Sequence, residues 1–309
     1  MLLFWGDKRY YTLNYYLRQK FGSKVFKICL DGGFSCPNRD GTIGTGGCIF
    51  CSEKGSGDFA GNRNMSIHDQ FQNIKKAMNK KWKNGKYIAY FQAYTNTYAP
   101  VSVLRKKYEE AIQEEGVVGL AIATRPDCLG EDVVNLISEF NKKIYTWVEL
   151  GLQTSNDSTA LTINRGYKLN VFEDAVKKLR KRNIDVVVHI IFGLPGEDQN
   201  DMLDTVKYVS NIGIQGVKFH LLHLMKNTTL VKFYEDKKLK FMTQEEYVSL
   251  ICKALSYTNP NIVIHRLTGD APRESLIEPK WSLKKWEILN DIDKCLSDNN
   301  IYQGINYGG

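Results

Sequence analysis

Three of the chain's seven cysteines, Cys36, Cys48 and Cys51, fall within sixteen residues. The stretch joining the first two, Pro37-Asn38-Arg39-Asp40-Gly41-Thr42-Ile43-Gly44-Thr45-Gly46-Gly47, is too rich in glycine for a helix or strand. Thiolates are soft ligands, and three on one loop suit iron–sulfur or zinc chemistry. The glycines let backbone pass close to an inorganic centre and offer it N–H donors. A structural zinc site takes four ligands, and so does a ferredoxin-type cluster. Three thiolates on a four-iron cluster leave one iron open to a small molecule. The competing reading is a zinc knuckle, completed by Cys29 or His68.

The elements that must position this loop alternate along the chain. An aromatic-rich helix is expected over residues 8–21, ended by Gly22, and a strand over 24–30 delivers the chain to the cysteines. Ser66 and Asp69 resemble a capping box for a helix reaching Trp82. Strands follow at 86–92, 117–123, 144–152, 184–192 and 215–222, with helices at 101–115, 131–141, 171–182 and 199–209. Six strands alternating with helices predict βαβ units and a parallel sheet with right-handed crossovers. Beyond them come a helix at 244–255, a strand at 262–267 and a last helix at 283–296.

Strand side chains alternate between two faces. Glu149 and Gln153 share one phase, as do His189 with Ile191 and Lys218 with His220. Val148, Leu150, Leu152, Val188, Ile190, Val217, Phe219 and Leu221 take the other and are expected against helices. Polar groups recurring on one face of three strands predict a ligand cavity inside a curled sheet.

A chain of 309 residues suits an α/β barrel, and 43% hydrophobic with 25% charged residues suits a water-soluble globule. The apolar run at residues 1–5 is too short for a signal peptide, and no stretch reaches the length of a membrane helix. A cytoplasmic location with reduced thiols is expected, so clustered cysteines read as metal ligands. The net charge of +8, 42 Lys and Arg against 34 Asp and Glu, admits a polyanionic partner without requiring one. Basic residues gather at Lys75–Lys86, Lys177–Arg182 and Lys280–Lys285, each readable as a solvated helix face or as nucleic-acid contact.

With its cysteine loop after the first strand and Phe50 before Cys51, nearly the whole chain resembles the radical SAM superfamily. The usual Cys-x3-Cys spacing is replaced by eleven residues between Cys36 and Cys48, as in the branch of the Elongator catalytic subunit. Thr124-Arg125-Pro126-Asp127, Asn164-Arg165-Gly166, Gly193-Leu194-Pro195-Gly196-Glu197 and Val217-Lys218-Phe219-His220 are similar to that branch. Asp31-Gly32-Gly33-Phe34, Ala93-Tyr94-Thr95-Asn96-Thr97-Tyr98 and Leu267-Thr268-Gly269-Asp270-Ala271-Pro272 resemble a compact subfamily containing YtqA and YhcC, termed MnmL-type.

The resemblance implies a partial (β/α)6 TIM-like barrel: an N-terminal helical extension (1–23), a core (24–225) and a C-terminal extension (226–309) that closes it. It implies a [4Fe-4S] cluster on Cys36, Cys48 and Cys51, with S-adenosylmethionine (SAM) on the open iron. Gln92, Ala93 and Tyr94 would meet the methionine amino group, Arg165 the SAM carboxylate, and Gln153 or Glu149 the ribose. Ile191 and Gly193 would cradle adenine, with His223 to Met225 closing the pocket. Lys218, His220 and His189 are the substrate candidates inside the barrel, Lys218 to neutralise a carboxylate; Arg266 and Asp270 stand near its mouth. Cys29, Cys128, Cys252 and Cys295 are expected to be structural.

The implied activity is on the wobble uridine of tRNA, converting 5-carboxymethylaminomethyluridine to 5-aminomethyluridine. Partners would be tRNA, a reduced flavodoxin or ferredoxin-type electron donor, and a downstream tRNA methyltransferase, with no membrane. Two rivals stand beside it: the same chemistry on a metabolite or protein, and a zinc-stabilised, non-enzymatic RNA-binding protein.

Overall fold

A computed structural model describes residues 4–55, 57–79, 85–236 and 239–308. Lys80, Lys81, Lys83 and the expected helix end at Trp82 lie outside them, as do residues 1–3. The strands are β1 (Val25–Leu30), β2 (Lys86–Phe91), β3 (Val117–Thr124), β4 (Tyr145–Gln153), β5 (Asp185–Phe192), β6 (Gly216–Leu221), β7 (Leu224–Met225), β8 (Val263–Arg266) and β9 (Leu276–Glu278). The helices are α1 (Leu13–Phe21), α2 (Ile67–Asn79), α3 (Val101–Ile112), α4 (Glu131–Lys143), α5 (Asp157–Thr162), α6 (Leu169–Lys181), α7 (Gln199–Asn211), α8 (Leu230–Glu235), α9 (Gln244–Tyr257) and α10 (Lys285–Asp298).

β1 to β6 pair in chain order, all parallel, and β8 adds beside β6 in the same direction. The expected partial barrel therefore has a seventh strand, taken from the segment beyond residue 225. Its pairing is long-range, since β7, α8 and α9 intervene. β7 and β9 form a separate antiparallel ribbon that the sequence reading lacks, as it lacks α5 and α8. All three are short, so their periodicity is too brief to register.

The alternation holds. Val148, Leu150, Leu152, Val188, Ile190, Val217, Phe219 and Leu221 belong to the core shared with the helices. The opposite face begins with Ile88, Tyr90, Ala121, Ala123, Trp147 and Val187, which fill the lower lumen. α1 is capped by the Thr12 hydroxyl and ended by Gly22 in the left-handed region. It reaches β1 and β8, the two edges of the sheet, and the Ile264 amide donates to Tyr11 O across 2.7 Å. An otherwise open sheet edge is thereby covered. No described helix is long and apolar enough to cross a membrane.

Candidate active site

The cysteine loop lies beyond the C-terminal end of β1, the end of a parallel sheet where α/β proteins place their ligands. Asn38 and Asn164 brace it reciprocally. Asn38 Nδ2 donates to Asn164 O (2.7 Å) and lies 3.9 Å from Cys48 Sγ, while Asn164 Nδ2 donates to Gly47 O (2.8 Å). Ile49 N donates to Ile163 O (3.1 Å), and Arg39 Nη2 to Cys51 O (3.1 Å). Gly47 adopts φ +79°, and a Cβ there would stand 2.8 Å from Arg39 Nε. The glycine thus makes room for the arginine that secures Cys51.

Cys48 and Cys51 are near enough to share a hydrogen bond, which raises the first thiol and lowers the second. Burial raises both, while the charge of Arg39 pulls Cys51 down. The charge of Cys36 also reaches Cys51. The two proposed zinc-completing residues point elsewhere. Cys29 is on the lumen face of β1 near Lys27 and Lys218, and His68 pairs with Glu114 at 2.6 Å. Among the described residues no group of three or more His, Cys, Asp or Glu side chains converges on a single-ion site. Three thiols on a braced, glycine-rich loop, without a fourth protein ligand, suit a cluster that keeps one metal open.

Beneath the loop, the lumen holds a polar network. The Glu149 side chain is completely buried. Its carboxylate accepts from Tyr90 OH (2.7 Å), Trp147 Nε1 (3.0 Å), His189 Nε2 (2.9 Å) and Lys218 Nζ, and Lys27 Nζ stands 3.9 Å away. Lys218 Nζ also donates to Tyr90 OH (3.1 Å). Tyr90 on β2 and Lys218 on β6 are four strands apart, so their contact crosses the lumen. Burial disfavours the carboxylate, but Lys218 and Lys27 outweigh it and hold Glu149 well below the usual range. Burial lowers Lys218 to about 7, against the attraction of Glu149. Burial and Lys218 lower His189 to about 4.

In this network Glu149 is sealed among protein partners, and Lys218 spends its charge on Glu149. Arg165 is fully buried, with Nε on Tyr167 O, Nη1 on Leu152 O and Thr154 O, and Nη2 on Asp157 Oδ1. Four of its five N–H groups thus brace the turn after β4.

The remaining expected residues lie around the upper lumen. Ala93 is buried against Gly57, and Tyr94, at φ 59°, directs its hydroxyl to Glu53 O beside the cysteine loop. The Gln92 amide donates to Leu30 O at the top of β1. Gln153, at φ 64°, approaches Tyr167 OH at 3.4 Å. Ile191 borders the small apolar cluster that includes Ile49, and Gly193 turns the chain at φ +86°. His223 carries a buried, unpartnered Nε2, and Met225 is buried in β7. The His220 ring stacks obliquely on His189 at 5.1 Å, its Nε2 also buried without a partner. Arg266 pairs with Asp270 at 3.2 Å.

Sequence reasoning missed Lys27, Tyr90, Trp147, Asn38 and Asn164. Tyr90 and Trp147 are in the phase of the inward polar residues, a signal that was available. The Asn38–Asn164 brace spans 126 positions and leaves no local pattern. Outside the lumen, a cleft of 870 Å³ lies where the loops after β2, β3 and β4 meet the cysteine loop, lined by Ile43, Tyr98, Cys128 and Tyr167 among others. Its walls are mostly apolar, so the titratable chemistry remains with the lumen.

The family model described as the Radical SAM superfamily matches residues 40–209, and that of the Radical_SAM C-terminal domain matches 214–298. The chain belongs to the radical SAM superfamily. Members are enzymes that work with a [4Fe-4S] cluster and SAM, and the thiols of Cys36, Cys48 and Cys51 fit that cluster. This radical SAM protein is 56% identical to the uncharacterized Bacillus subtilis protein YtqA over 298 residues, 96% of this chain and 92% of that one. It is 26% identical over 158 residues to a Dehalococcoides mccartyi tRNA uridine(34) acetyltransferase, 50% of this chain and 34% of that one. The solved structure of Methanocaldococcus infernus Elp3 superposes with a TM-score of 0.70 at 16% identity, over 90% of this chain and 64% of that chain. That likeness establishes the fold, a partial parallel barrel shared with that structure.

Proposed function

We propose that this radical SAM enzyme acts on the wobble uridine of tRNA, converting 5-carboxymethylaminomethyluridine to 5-aminomethyluridine. The lumen supports the reading: a buried polar interior beneath the cysteine loop, where Lys218, Lys27 and His189 gather on Glu149. When bound, the cluster and SAM supply one-electron chemistry that removes a hydrogen atom from a substrate carbon. The chain's own part is to hold and exclude. Cys36, Cys48 and Cys51 hold the cluster, with Asn38, Arg39 and Asn164 fixing the loop. The filled floor of Trp147, Val187 and Ile88 keeps bulk water from entering below. Support for tRNA comes from the acetyltransferase relative, whose name gives uridine 34 of tRNA as its target. The compact subfamily resemblance supports the carboxymethyl step.

The topology favours one of the three basic groups as an RNA contact. Lys75 pairs with Glu115, and Arg180 pairs with Asp185, the first residue of β5. Lys75 and Arg180 therefore lie toward the N-terminal ends of the strands, away from the cysteine loop. Lys285 instead bonds Asp270, which pairs with Arg266 at the C-terminal end of β8. The test is anaerobic turnover with SAM, reductant and tRNA bearing 5-carboxymethylaminomethyluridine, followed by mass spectrometry of nucleosides. Appearance of 5-aminomethyluridine, matched by 5′-deoxyadenosine and lost in Cys48→Ala, is the expected result. 5′-Deoxyadenosine without any change in the nucleoside would remove the proposed substrate.

A further inference from the structure

The ion pairs of the lumen do not balance. Lys27, Lys218 and Arg266 enter it from β1, β6 and β8, and Lys285 joins at the rim. The carboxylates that meet them are Glu149, shared by Lys218 and Lys27, and Asp270, shared by Arg266 and Lys285. Four cations thus face two carboxylates. The histidines among them offer no countercharge, since burial holds His189, His220 and His223 neutral. The surplus lies toward solvent, since the Lys27, Arg266 and Lys285 side chains are 23%, 34% and 38% exposed, where an anion from outside can meet them.

The surplus can be located. Lys218 is spent on Glu149, and Lys285 reaches both oxygens of Asp270 at 2.8 and 2.9 Å. Arg266 Nη2 stands 3.2 Å from Asp270 Oδ2, and its side chain is one-third exposed. A guanidinium has five N–H donors, so among the described residues the pairing with Asp270 leaves part of this fork open to a ligand. The Cα of Arg266 is in register with Lys218, which places it on the lumen side of the seam between β8 and β1. Lys27 stands on the other edge strand, a looser 3.9 Å from Glu149. Gly269 lies beside them, where a Cβ would come to 3.0 Å from His223 Cε1 and 3.8 Å from His220 Nδ1. Without a side chain there, the two unpartnered imidazoles remain approachable.

We infer that Arg266, supported by Lys27 and the neutral His220, forms a carboxylate-binding subsite for the substrate at the seam of the half-barrel. This rests on the substrate reading above and deepens it: the ligand is the N-linked glycine-type carboxylate of the modified uridine. Arg266 supplies the planar fork that a carboxylate accepts. Lys27 supplies charge from the opposite edge, and His220 Nδ1, the ring atom that faces Gly269, a further polar contact. It also explains why the floor keeps its own Glu149. The internal carboxylate occupies Lys218, so the substrate's carboxylate stays at the rim.

The experiment compares two tRNA substrates, one with the carboxymethylaminomethyl group and one with its isosteric carboxamide. Holoenzymes of wild type, Arg266→Gln, Arg266→Lys and the surface control Lys142→Gln are assayed. Wild type and Lys142→Gln are expected to prefer the carboxylate about 10- to 100-fold in kcat/KM, the worth of a charge-assisted contact. Arg266→Gln should abolish the preference and Arg266→Lys recover part of it, with SAM affinity unchanged. Equal losses on both substrates, or a loss of SAM affinity, would overturn the subsite.

Calorimetric titration with the 5-carboxymethylaminomethyluridine nucleoside separates the two readings. If wild type binds it about tenfold or more tighter than Arg266→Gln but turns neither tRNA over, the subsite stands and the proposed reaction falls. If wild type and Arg266→Gln bind it equally, or neither binds, the subsite falls whatever the turnover.

Discussion

Lys218→Met is the sharpest test of the cross-lumen network. It leaves the Glu149 carboxylate completely buried, with the neutral donors Tyr90, Trp147 and His189 and a single cation, Lys27, 3.9 Å away. Breaking a buried ion pair from one side costs about 3–5 kcal/mol. Lys27 compensates in part, so a loss of about 3 kcal/mol is expected. In a protein of 309 residues that corresponds to a fall in Tm of about 5 °C. Adding Glu149→Gln removes the stranded charge, keeps an oxygen for Trp147 Nε1 and turns an NH2 toward Tyr90 OH and His189 Nε2, either of which can accept. The double variant should regain about 2 kcal/mol over Lys218→Met, a coupling that a double-mutant cycle reads directly. Urea unfolding by circular dichroism on the four proteins gives both quantities. A single variant within about 1 kcal/mol of wild type, or strictly additive effects, would refute the network as the element that closes the lumen.

Acid should destabilise the fold earlier than its carboxylates alone require. His189 and His223 are held at about 4, and His220 and His265 well below 6.5, all chiefly by burial. Between about pH 6.5 and 4 the unfolded chain binds protons the native one refuses, so stability falls with pH, by up to about 1.4 kcal/mol per pH unit for each histidine. Urea midpoints at pH 7, 5.5 and 4.5 check this; a flat profile contradicts it. Cys48→Ala should abolish the brown cluster absorbance and bound iron after reconstitution, whereas Cys29→Ser should keep both, and equal losses would reassign the ligands. Gly47→Ala should cost about 1–2 kcal/mol in left-handed strain and displace Arg39, lowering the iron bound per chain. Gln303→Ala removes a fully buried amide that donates to Asn259 O and Ile262 O and accepts from Tyr11 N. The cost expected there is about 2–3 kcal/mol, read as Tm.

The sheet was legible because its inward and outward residues keep period two through β4, β5 and β6, and because Gly22 and the Ser66–Asp69 pair punctuate the helices. The cysteine loop was legible as a cluster of one residue type. Pairing across the lumen was not. Lys218 and Glu149 are 69 positions apart, and Lys218 and Tyr90 are 128. Such contacts follow from how far the sheet curls, which no local pattern encodes. For the same reason strand phase pointed Lys218 inward without showing its partner, and the resemblance that gave Arg165 to the SAM carboxylate carried no sign of the contacts it makes. The carbonyls of Leu152, Thr154 and Tyr167 that occupy it converge only when the turn after β4 forms. β8 was readable as a strand, but its neighbour was not, since Gly216 meets Val263 only after β7, α8 and α9 have passed.

The bond from Tyr90 to Lys218 acts as a tie rod. A half-barrel has no closing pair of strands to fix its girth, so its edges can splay like a cut ring. Here β2 and β6 are tethered through the lumen at mid-depth, while α1 clasps the two edges from below. Among the described residues, no strand pairing joins β1 to β8 above the tether, and β7 and β9 pair with each other instead. Any widening needed to admit a nucleotide is therefore confined to the rim, like a purse that opens at its mouth with its base sewn shut.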